Sequence, residues 1–246
     1  MDPLPPWPAL PKTSPLDPEV IRIVATSLVA DEAQVQALAA LLDAHEIVRA
    51  QRFNQEIHRR RFLVAHGVLR LVLAGALGRK PEELRFNLGL YGKPALANEP
   101  HLRFNLSHSG DRALIALAWD RDLGVDLEQY NSRTDILGLA QRFFAADESA
   151  VLVGLPESLQ KEAFFSCWSR KEAVIKALGT GLTTPLDSFA VEVDPRRPAA
   201  LLRPPSAGGD LTLTALPLDD GWAGAIAAPG VWRAECWGFI LNAALR

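Results

Sequence analysis

Residues 163–182 predict one long helix that carries its own stop signal. Gly179 favours a break at its end, and the basic residues before that glycine suit the negative end of a helix dipole. Glu172 and Lys176 are four residues apart, so both lie on one flank of the apolar face. That spacing fits an ordinary surface ion pair as well as a functional site. The apolar face consists of Phe164, Cys167, Trp168, Ile175 and Leu178.

The composition is that of a globular protein without a membrane span. Apolar residues make up 48% of the 246 residues, enough to bury one large core or two small ones. The longest apolar run, 62–78, contains His66 and Arg70 and is shorter than the roughly 20 residues that a membrane helix needs. A net charge of −3 argues against nucleic acid as the main partner. Cys167 and Cys236 fit buried positions in a reducing, cytoplasmic setting.

The order of the predicted elements indicates an α+β protein with two halves of similar topology. Strand, helices and further strands run through residues 20–119, and the same order then returns. We predict an N-terminal subdomain at 19–121 and a C-terminal subdomain at 122–246, after a proline-rich arm at 1–18 that Trp7 fastens to the surface. The predicted strands are 20–29, 84–87, 101–106, 112–119, 125–128, 188–193, 211–216, 222–227 and 231–241, and the predicted helices are 32–52, 55–77, 134–144 and 160–178.

Three carboxylates are candidates for a metal site. Val125 and Leu127 face the core from their predicted strand, so Asp126 and Glu128 share its other face, about 7 Å apart at their roots. With Glu172 on the helix, they offer the all-oxygen ligation that Mg²⁺ or Mn²⁺ prefers. Two acidic residues on the solvated face of an edge strand would show the same pattern.

Basic groups elsewhere in the chain suit a phosphate ligand. The cluster at 45–62 includes Arg49 and Arg52 and fits either a solvated helix face or an anion site. The sequence SHSG at 107–110 predicts a tight polar turn that adds neutral donors. Carboxylates around a metal with a basic rim predict a polyphosphate substrate, and the sequence contains no Walker loop or dinucleotide fingerprint. The other candidate donors are Lys93, Ser107, His108 and Lys176.

Taken together, these motifs resemble those of the Sfp-type 4′-phosphopantetheinyl transferases. The resemblance covers roughly residues 45–190 and consists of several motifs in the same order and spacing. The chain length fits the monomeric, two-half type within that family. The motifs are YGKP at 91–94, FNLSHSG at 104–110, GVDLE at 124–128, RFF at 142–144, WSRKEAVIKALGTGL at 168–182 and PLDSF at 185–189.

The resemblance implies a pseudo-twofold pair of subdomains, each a small, mainly antiparallel sheet packed against helices, with the active site in the cleft between them. By position, Asp126, Glu128 and Glu172 would bind Mg²⁺ together with the pyrophosphate of coenzyme A. Lys176 would also contact that pyrophosphate. The 3′-phosphorylated adenosine end would be held by Arg49, Lys93, Pro94, Ser107 and His108.

The reaction that the resemblance implies is attack by a serine hydroxyl of an apo acyl or peptidyl carrier protein on the β-phosphate of coenzyme A, with 3′,5′-ADP leaving. The catalytic residues would be Asp126, Glu172 and Lys176. Glu172 is the candidate general base, although a cation lowers the pKa of a bound carboxylate, which leaves a water or another group as an alternative proton acceptor.

Two other functions would use the same residues. A metal-dependent hydrolase of nucleotide-like pyrophosphates would use water as the nucleophile, and a non-catalytic module would only bind coenzyme A or a carrier. We expect a cytoplasmic monomer, and an acidic carrier protein would dock on a basic or apolar groove near 163–182. Phe143 and Phe144 could belong to that surface or to the core.

Overall fold

The computed structural model describes residues 4–11, 15–89, 91–206 and 209–241, so positions 1–3 and 12–14 of the predicted arm and 242–246 of the predicted C-terminal subdomain lie outside the described residues. Its helices are α1 (Glu32–Ala39), α2 (Ala44–Gln51), α3 (Glu56–Leu77), α4 (Ile136–Phe143), α5 (Ala146–Gly154) and α6 (Glu157–Leu178). Its strands are β1 (Val20–Ser27), β2 (Phe86–Leu88), β3 (Pro94–Leu96), β4 (Leu102–Ser109), β5 (Arg112–Trp119), β6 (Gly124–Gln129), β7 (Ala190–Val191), β8 (Leu201–Arg203), β9 (Leu211–Ala215), β10 (Trp222–Pro229) and β11 (Arg233–Phe239).

Two small sheets with the same internal order organise the chain. In the first, β1, β5 and β4 lie side by side, and each neighbouring pair is antiparallel. In the second, β6, β10 and β9 lie in the same relative order, again antiparallel. In both sheets the first strand leads into three helices before the remaining strands follow. The predicted α+β fold, with small antiparallel sheets packed against helices, is confirmed.

A late strand of the sequence joins the first sheet. β11 pairs in parallel with β1, from Val20 beside Arg233 to Thr26 beside Phe239. The first sheet therefore contains residues from both predicted subdomains. The division between residues 121 and 122 stays a prediction.

The described part of the proline-rich arm lies against β11 and the space between the sheets. Pro8 accepts a hydrogen bond from the N–H of Gly238 at 2.8 Å, and Leu10 donates its N–H to the carbonyl of Gly238 at 2.9 Å. Trp7 donates from Nε1 to the carbonyl of Pro217 at 3.0 Å. Trp7 thus fastens the arm, as its position in the sequence suggested.

Separate apolar clusters hold these layers together. One packs α1 and α3 on the first sheet, another packs α6 on the second sheet, and a third fills the space between the sheets. Cys167 is buried in the second cluster, and Cys236 lies partly buried at the third. None of the helices in the described ranges is long and apolar enough to cross a membrane.

The single helix predicted at 32–52 is wrong, because the chain forms α1 and α2 there. Asp43 begins α2 by accepting a hydrogen bond from the N–H of Glu46 at 3.0 Å. Glu46 in turn accepts from the N–H of Asp43 at 3.1 Å, which completes a capping box. The signal is visible in the sequence as an aspartate followed three residues later by a glutamate.

The tight turn predicted at 107–110 is also corrected, because β4 continues through Ser109. Ser109 pairs with Arg112 of β5, and Gly110 takes the left-handed conformation (φ 52°) that the reversal requires. The alternation of the strand therefore extends over the polar residues of the SHSG motif. Several short elements, α5, β3 and β8, have no counterpart among the predicted elements, and the predicted strand 188–193 is reduced to β7.

Strand β6 and helix α6 approach each other at Gly124 with no side chain between them. A Cβ atom placed on Gly124 would lie 2.2 Å from the carbonyl oxygen of Ala173 and 2.2 Å from the backbone nitrogen of Ala177. Only glycine permits the two backbones to meet in this way. The contact fixes how closely Lys176 of α6 approaches Asp126, two residues along β6.

We expect Gly124→Ala to lower the free energy of unfolding by about 3 kcal/mol, because the added methyl group forces α6 away from β6. Urea unfolding followed by circular dichroism measures the change. Gly154→Ala is the matched control, since a Cβ there meets no atom within 4 Å, and it should alter stability by less than about 1 kcal/mol. Equal stability of the two variants would contradict the close approach.

Candidate active site

Side chains of β4 reach β6 across the junction between the two sheets. β4 is an edge strand of the first sheet, and β6 is an edge strand of the second. Asn105 Oδ1 accepts a hydrogen bond from the N–H of Val125 at 2.9 Å, and Ser107 Oγ donates to Asp126 Oδ1 at 2.9 Å. Residues two apart on a strand share a face, so the motif FNLSHSG presents a row of polar groups to β6.

The row ends at Ser109, next to the second predicted metal ligand. Ser109 Oγ accepts from the N–H of Gln129 at 3.1 Å and donates to Glu128 Oε2 at 3.3 Å. The pKa of Glu128 is raised to about 7, mainly by burial and secondly by the charge of Asp126. The hydrogen bond from Ser109 lowers this pKa. The two acidic side chains of β6 are therefore electrostatically coupled.

Asp126 and Lys176 are in direct contact. Lys176 Nζ lies 2.5 Å from Asp126 Oδ1 and donates to Ser107 Oγ at 3.0 Å. The Asp126 side chain is 4% exposed, and burial raises its pKa although Lys176 and Ser107 oppose the shift. The other carboxylate oxygen, Oδ2, is buried without a hydrogen-bond partner among the described residues. Such an atom is costly to leave unpaired, and a cation would satisfy it.

Glu172 lies near this cluster but is not bonded to it. In the part of the chain that the structure describes, its carboxylate forms neither a hydrogen bond nor an ion pair. Burial, and then the charge of Asp126, raise the pKa of Glu172, and the nearby Lys176 lowers it. Asp126 thus exerts the same effect on Glu128 and on Glu172.

The chemistry of these donors fits Mg²⁺ or Mn²⁺. The donors are all carboxylate oxygens, one of them buried and unpartnered. Burial raises the pKa of each of the three carboxyls, and repulsion from Asp126 adds to the shift at Glu128 and Glu172; a bound cation would oppose both effects. Among the described residues, however, no group of three or more His, Cys, Asp or Glu side chains lies close enough to hold an ion. The metal set Asp126, Glu128 and Glu172 stays a prediction.

A cavity of about 650 Å³ brings together three of the predicted nucleotide-binding residues, Arg49, Pro94 and His108. The Arg49 guanidinium lies 5.4 Å from the centre of the Phe62 ring. The pKa of His108 is lowered, mainly by partial burial and secondly by the positive charge of Lys176. Because Lys176 acts on His108, the cavity lies within electrostatic range of the Asp126 cluster.

Acidic groups in the cavity wall are paired from within the protein. Arg70 is fully buried and lies 2.6 Å from Glu46 and 3.0 Å from Asp43. Glu46 also contacts His66 Nδ1 at 2.9 Å. Burial alone would raise the pKa of Glu46, but the hydrogen bonds from His66 and Arg70 lower it. Arg49 therefore faces a cavity whose negative charges are already neutralised.

Two other predicted nucleotide contacts make different bonds in the structure. Ser107 belongs to the Asp126 cluster described above. The Lys93 ammonium donates to the carbonyl oxygens of Leu123 at 2.9 Å and Lys176 at 2.7 Å. Their contact with a nucleotide stays a prediction.

A buried ion pair that the sequence analysis missed supports α6. Lys171 is fully buried, and its Nζ lies 2.7 Å from Glu148 Oε2. The same ammonium donates to the carbonyls of Leu186 at 2.7 Å and Phe189 at 2.8 Å. The helical spacing places Lys171 on the apolar face, which was the signal available in the sequence. Since Glu172 is the next residue, this pair also fixes how α6 presents Glu172.

The two aromatic residues before α5 both pack against Trp168. Phe144 belongs to the core: it is 4% exposed, and its ring centre lies 5.3 Å from that of Phe164. Phe143 is partly buried, edge-on to Trp168 at 5.9 Å.

Comparison with known proteins gives consistent matches over most of the chain. Residues 29–119 match the family model for the N-terminal region of 4′-phosphopantetheinyl transferase, and residues 122–227 match the model for the 4′-phosphopantetheinyl transferase superfamily. The 4′-phosphopantetheinyl transferase HetI of Nostoc sp. is 39% identical over 84% of this chain and 86% of its own length. A 4′-phosphopantetheinyl transferase of Bacillus subtilis is 33% identical over 63% of this chain and 68% of its own length. The 4′-phosphopantetheinyl transferase Sfp of Bacillus subtilis is 33% identical over 59% of this chain and 63% of its own length.

We expect Lys171→Met to lower the free energy of unfolding by about 3–5 kcal/mol, because it leaves the Glu148 carboxylate buried and unpaired. Guanidinium unfolding measures this loss. Lys161→Met, on the exposed side of the same helix, is the matched control and should change stability by no more than about 0.5 kcal/mol. Adding Glu148→Gln to Lys171→Met should restore part of the loss, and a double variant no more stable than the single one would refute the pairing.

Proposed function

The chain belongs to the Sfp-type 4′-phosphopantetheinyl transferases, and on this basis we propose that it moves the 4′-phosphopantetheine group from coenzyme A to a serine of an apo acyl or peptidyl carrier protein and releases 3′,5′-ADP. The observation that carries the proposal is the contact of Lys176 with Asp126 and Ser107 at the junction of the sheets. It places an ammonium and a carboxylate with a free oxygen beside a basic cavity, which suits a pyrophosphate attached to a nucleotide.

The cavity is the proposed site of the adenosine end of coenzyme A. Arg49 offers a guanidinium to the 3′-phosphate, and its charge is not needed by the paired acids of the wall. Pro94 and the apolar side chains of the cavity suit the adenine ring, and His108 lies on the side nearer Lys176.

Lys176 is the proposed partner of the pyrophosphate. Its side chain is 26% exposed although Nζ is held by Ser107 and Asp126, so the ammonium is ordered yet accessible. Preorganised charge of this kind favours the transition state, because it needs no rearrangement as the leaving group gains negative charge.

Asp126, Glu128 and Glu172 would hold Mg²⁺, with Oδ2 as the free oxygen of Asp126. When bound, Mg²⁺ supplies charge neutralisation to the pyrophosphate. Ser109 orients Glu128 for that purpose through its hydrogen bond.

In the proposed transfer, the carrier serine Oγ forms a bond to the β-phosphorus of coenzyme A. The bond from that phosphorus to the bridging oxygen breaks, and its electron pair stays on 3′,5′-ADP. The serine proton passes to Glu172, directly or through a water, and the Glu172 oxygens make no other bond within the described chain. Both halves contribute to the site, Ser107 from the first and Lys176 from the second, so the proposed state is a monomer. The proposed location is the cytoplasm.

The test is intact-mass spectrometry of an apo carrier protein incubated with this protein, coenzyme A and Mg²⁺. We expect the carrier to gain one phosphopantetheine, and a chelator should abolish the gain. Consumption of coenzyme A without a gain on any carrier would favour the hydrolase, and untouched coenzyme A would favour the binding module.

In the same assay, Glu172→Ala should reduce the rate at least about 100-fold, because removing a general base alone costs a factor of that order. Glu162→Ala, at an exposed position of the same helix, should keep the wild-type rate. Near-normal activity of Glu172→Ala would remove Glu172 from both proposed roles.

We further expect Arg49→Ala to raise the KM for coenzyme A about tenfold, because a charge-assisted bond to the 3′-phosphate is lost. Dephospho-coenzyme A lacks that phosphate and provides the control substrate. Wild type and variant should show the same KM for it, and a variant that loses affinity equally for both substrates would contradict the assignment.

A further inference from the structure

We propose that Lys93 is a positioning residue that ties the last turn of α6 to the start of β6 and thereby holds Lys176 against Asp126. Lys93 then belongs to the protein framework of the site. Its kinetic consequence rests on the proposed function, whereas the tie itself can be tested in the absence of any reaction.

The two carbonyls that Lys93 contacts come from the two elements that carry the site. Leu123 immediately precedes β6, and Lys176 lies in the last turn of α6. Lys93 Nζ donates to the Leu123 carbonyl at 2.9 Å and to the Lys176 carbonyl at 2.7 Å. One ammonium therefore connects segments 30 and 83 residues away in the sequence.

The last carbonyls of a helix have no partner within the helix, so the Lys176 carbonyl needs an outside donor. The N–H of Gly179, in the left-handed conformation at φ 67°, bonds to the carbonyl of Ile175 instead. A cation at this end also interacts favourably with the helix dipole. Lys93 meets both requirements, although it comes from a distant segment.

The segment that presents Lys93 is itself held in place. The N–H of Gly89 bonds to the carbonyl of Lys93 at 2.8 Å, and the N–H of Gly92 bonds to the carbonyl of Gly89 at 2.9 Å. The following residue, Pro94, pairs with Leu88 in the β2–β3 hairpin. A side chain mounted on a closed hairpin loses little entropy when it forms a bond, so it can act as a fixed support.

The surroundings keep the ammonium engaged with the protein. Lys93 is partly buried, and burial lowers its pKa while Asp122 acts in the opposite direction. A Cβ placed on Gly179 would lie 3.4 Å from Lys93 Cδ, so the stem of the lysine packs on the end of α6. Two of its three N–H donors are used by the carbonyls.

This tie acts at the same place as the backbone contact at Gly124. A Cβ on Gly124 would lie 2.7 Å from the carbonyl carbon of Lys176, and that carbonyl is the one that Lys93 holds. Packing therefore brings α6 close to β6, and the hydrogen bonds of Lys93 prevent the last turn from sliding or fraying. The Lys176 side chain reaches Asp126 from this fixed turn.

The experiment compares Lys93→Met, which keeps the stem and removes the ammonium, with Lys80→Met at an exposed position. For each variant we would measure the hydrogen exchange of the α6 amides and the calorimetric Kd for 3′,5′-ADP. Steady-state kinetics would give kcat and the KM for coenzyme A. We expect faster exchange in the last turn of α6, a kcat lower by about 10- to 100-fold, and KM and Kd within about threefold of wild type. Lys80→Met should match wild type throughout.

A contact of Lys93 with the nucleotide would give the reverse pattern: a tenfold rise in Kd and KM with kcat and exchange unchanged. That result, or unchanged exchange at the end of α6, would overturn the proposal. Lys93→Gln retains an N–H donor, so its exchange rate in the last turn of α6 and its kcat should lie between those of Lys93→Met and the wild type. Lys93→Gln also serves as the second variant if Lys93→Met folds poorly. If the wild type transfers nothing to a carrier, the proposed function fails, and exchange still decides the tie.

Discussion

At Gly124 the backbone of β6 touches the backbone of α6, and a single methyl group would force them apart. This approach is what allows a strand and a helix from the same half to share one site. Asp126 lies two residues further along the strand, and Lys176 is part of the helix turn that makes the contact. The ion pair between them therefore rests on backbone packing, which sets the distance that the Lys176 side chain has to span. Lys93 and Lys171 secure the helix from outside and from within.

The junction between the halves is made by side-chain hydrogen bonds, in contrast to the backbone contact at Gly124. β4 and β6 are neighbouring edges of two sheets, yet side chains of β4 take the place of a backbone ladder between them. Because those side chains are serine hydroxyls and an amide, the junction is polar, and its last members hold the carboxylates of the site. The proposed site lies along this polar junction.

Local patterns in the sequence predicted much of this arrangement, whereas distant contacts left no local signal. Alternation placed Asp126 and Glu128 on one face of β6, and helical periodicity with Gly179 predicted α6 and its end. The capping box that begins α2 was visible and was missed. The carbonyls that Lys93 bonds, and the parallel pairing of β11 with β1, involve residues far apart in the sequence. Neither periodicity nor turn chemistry reports on such contacts, since each depends on the assembled fold.

The pairing of β11 with β1 has a consequence for how the molecule is made. β1 is synthesised about 200 residues before β11, the strand that covers one of its edges. Until then β1 exposes unpaired N–H and C=O groups, which could pair with another chain. The first sheet reaches its final form only when the second half has also been translated, so the two halves complete their folding together despite their similar topology.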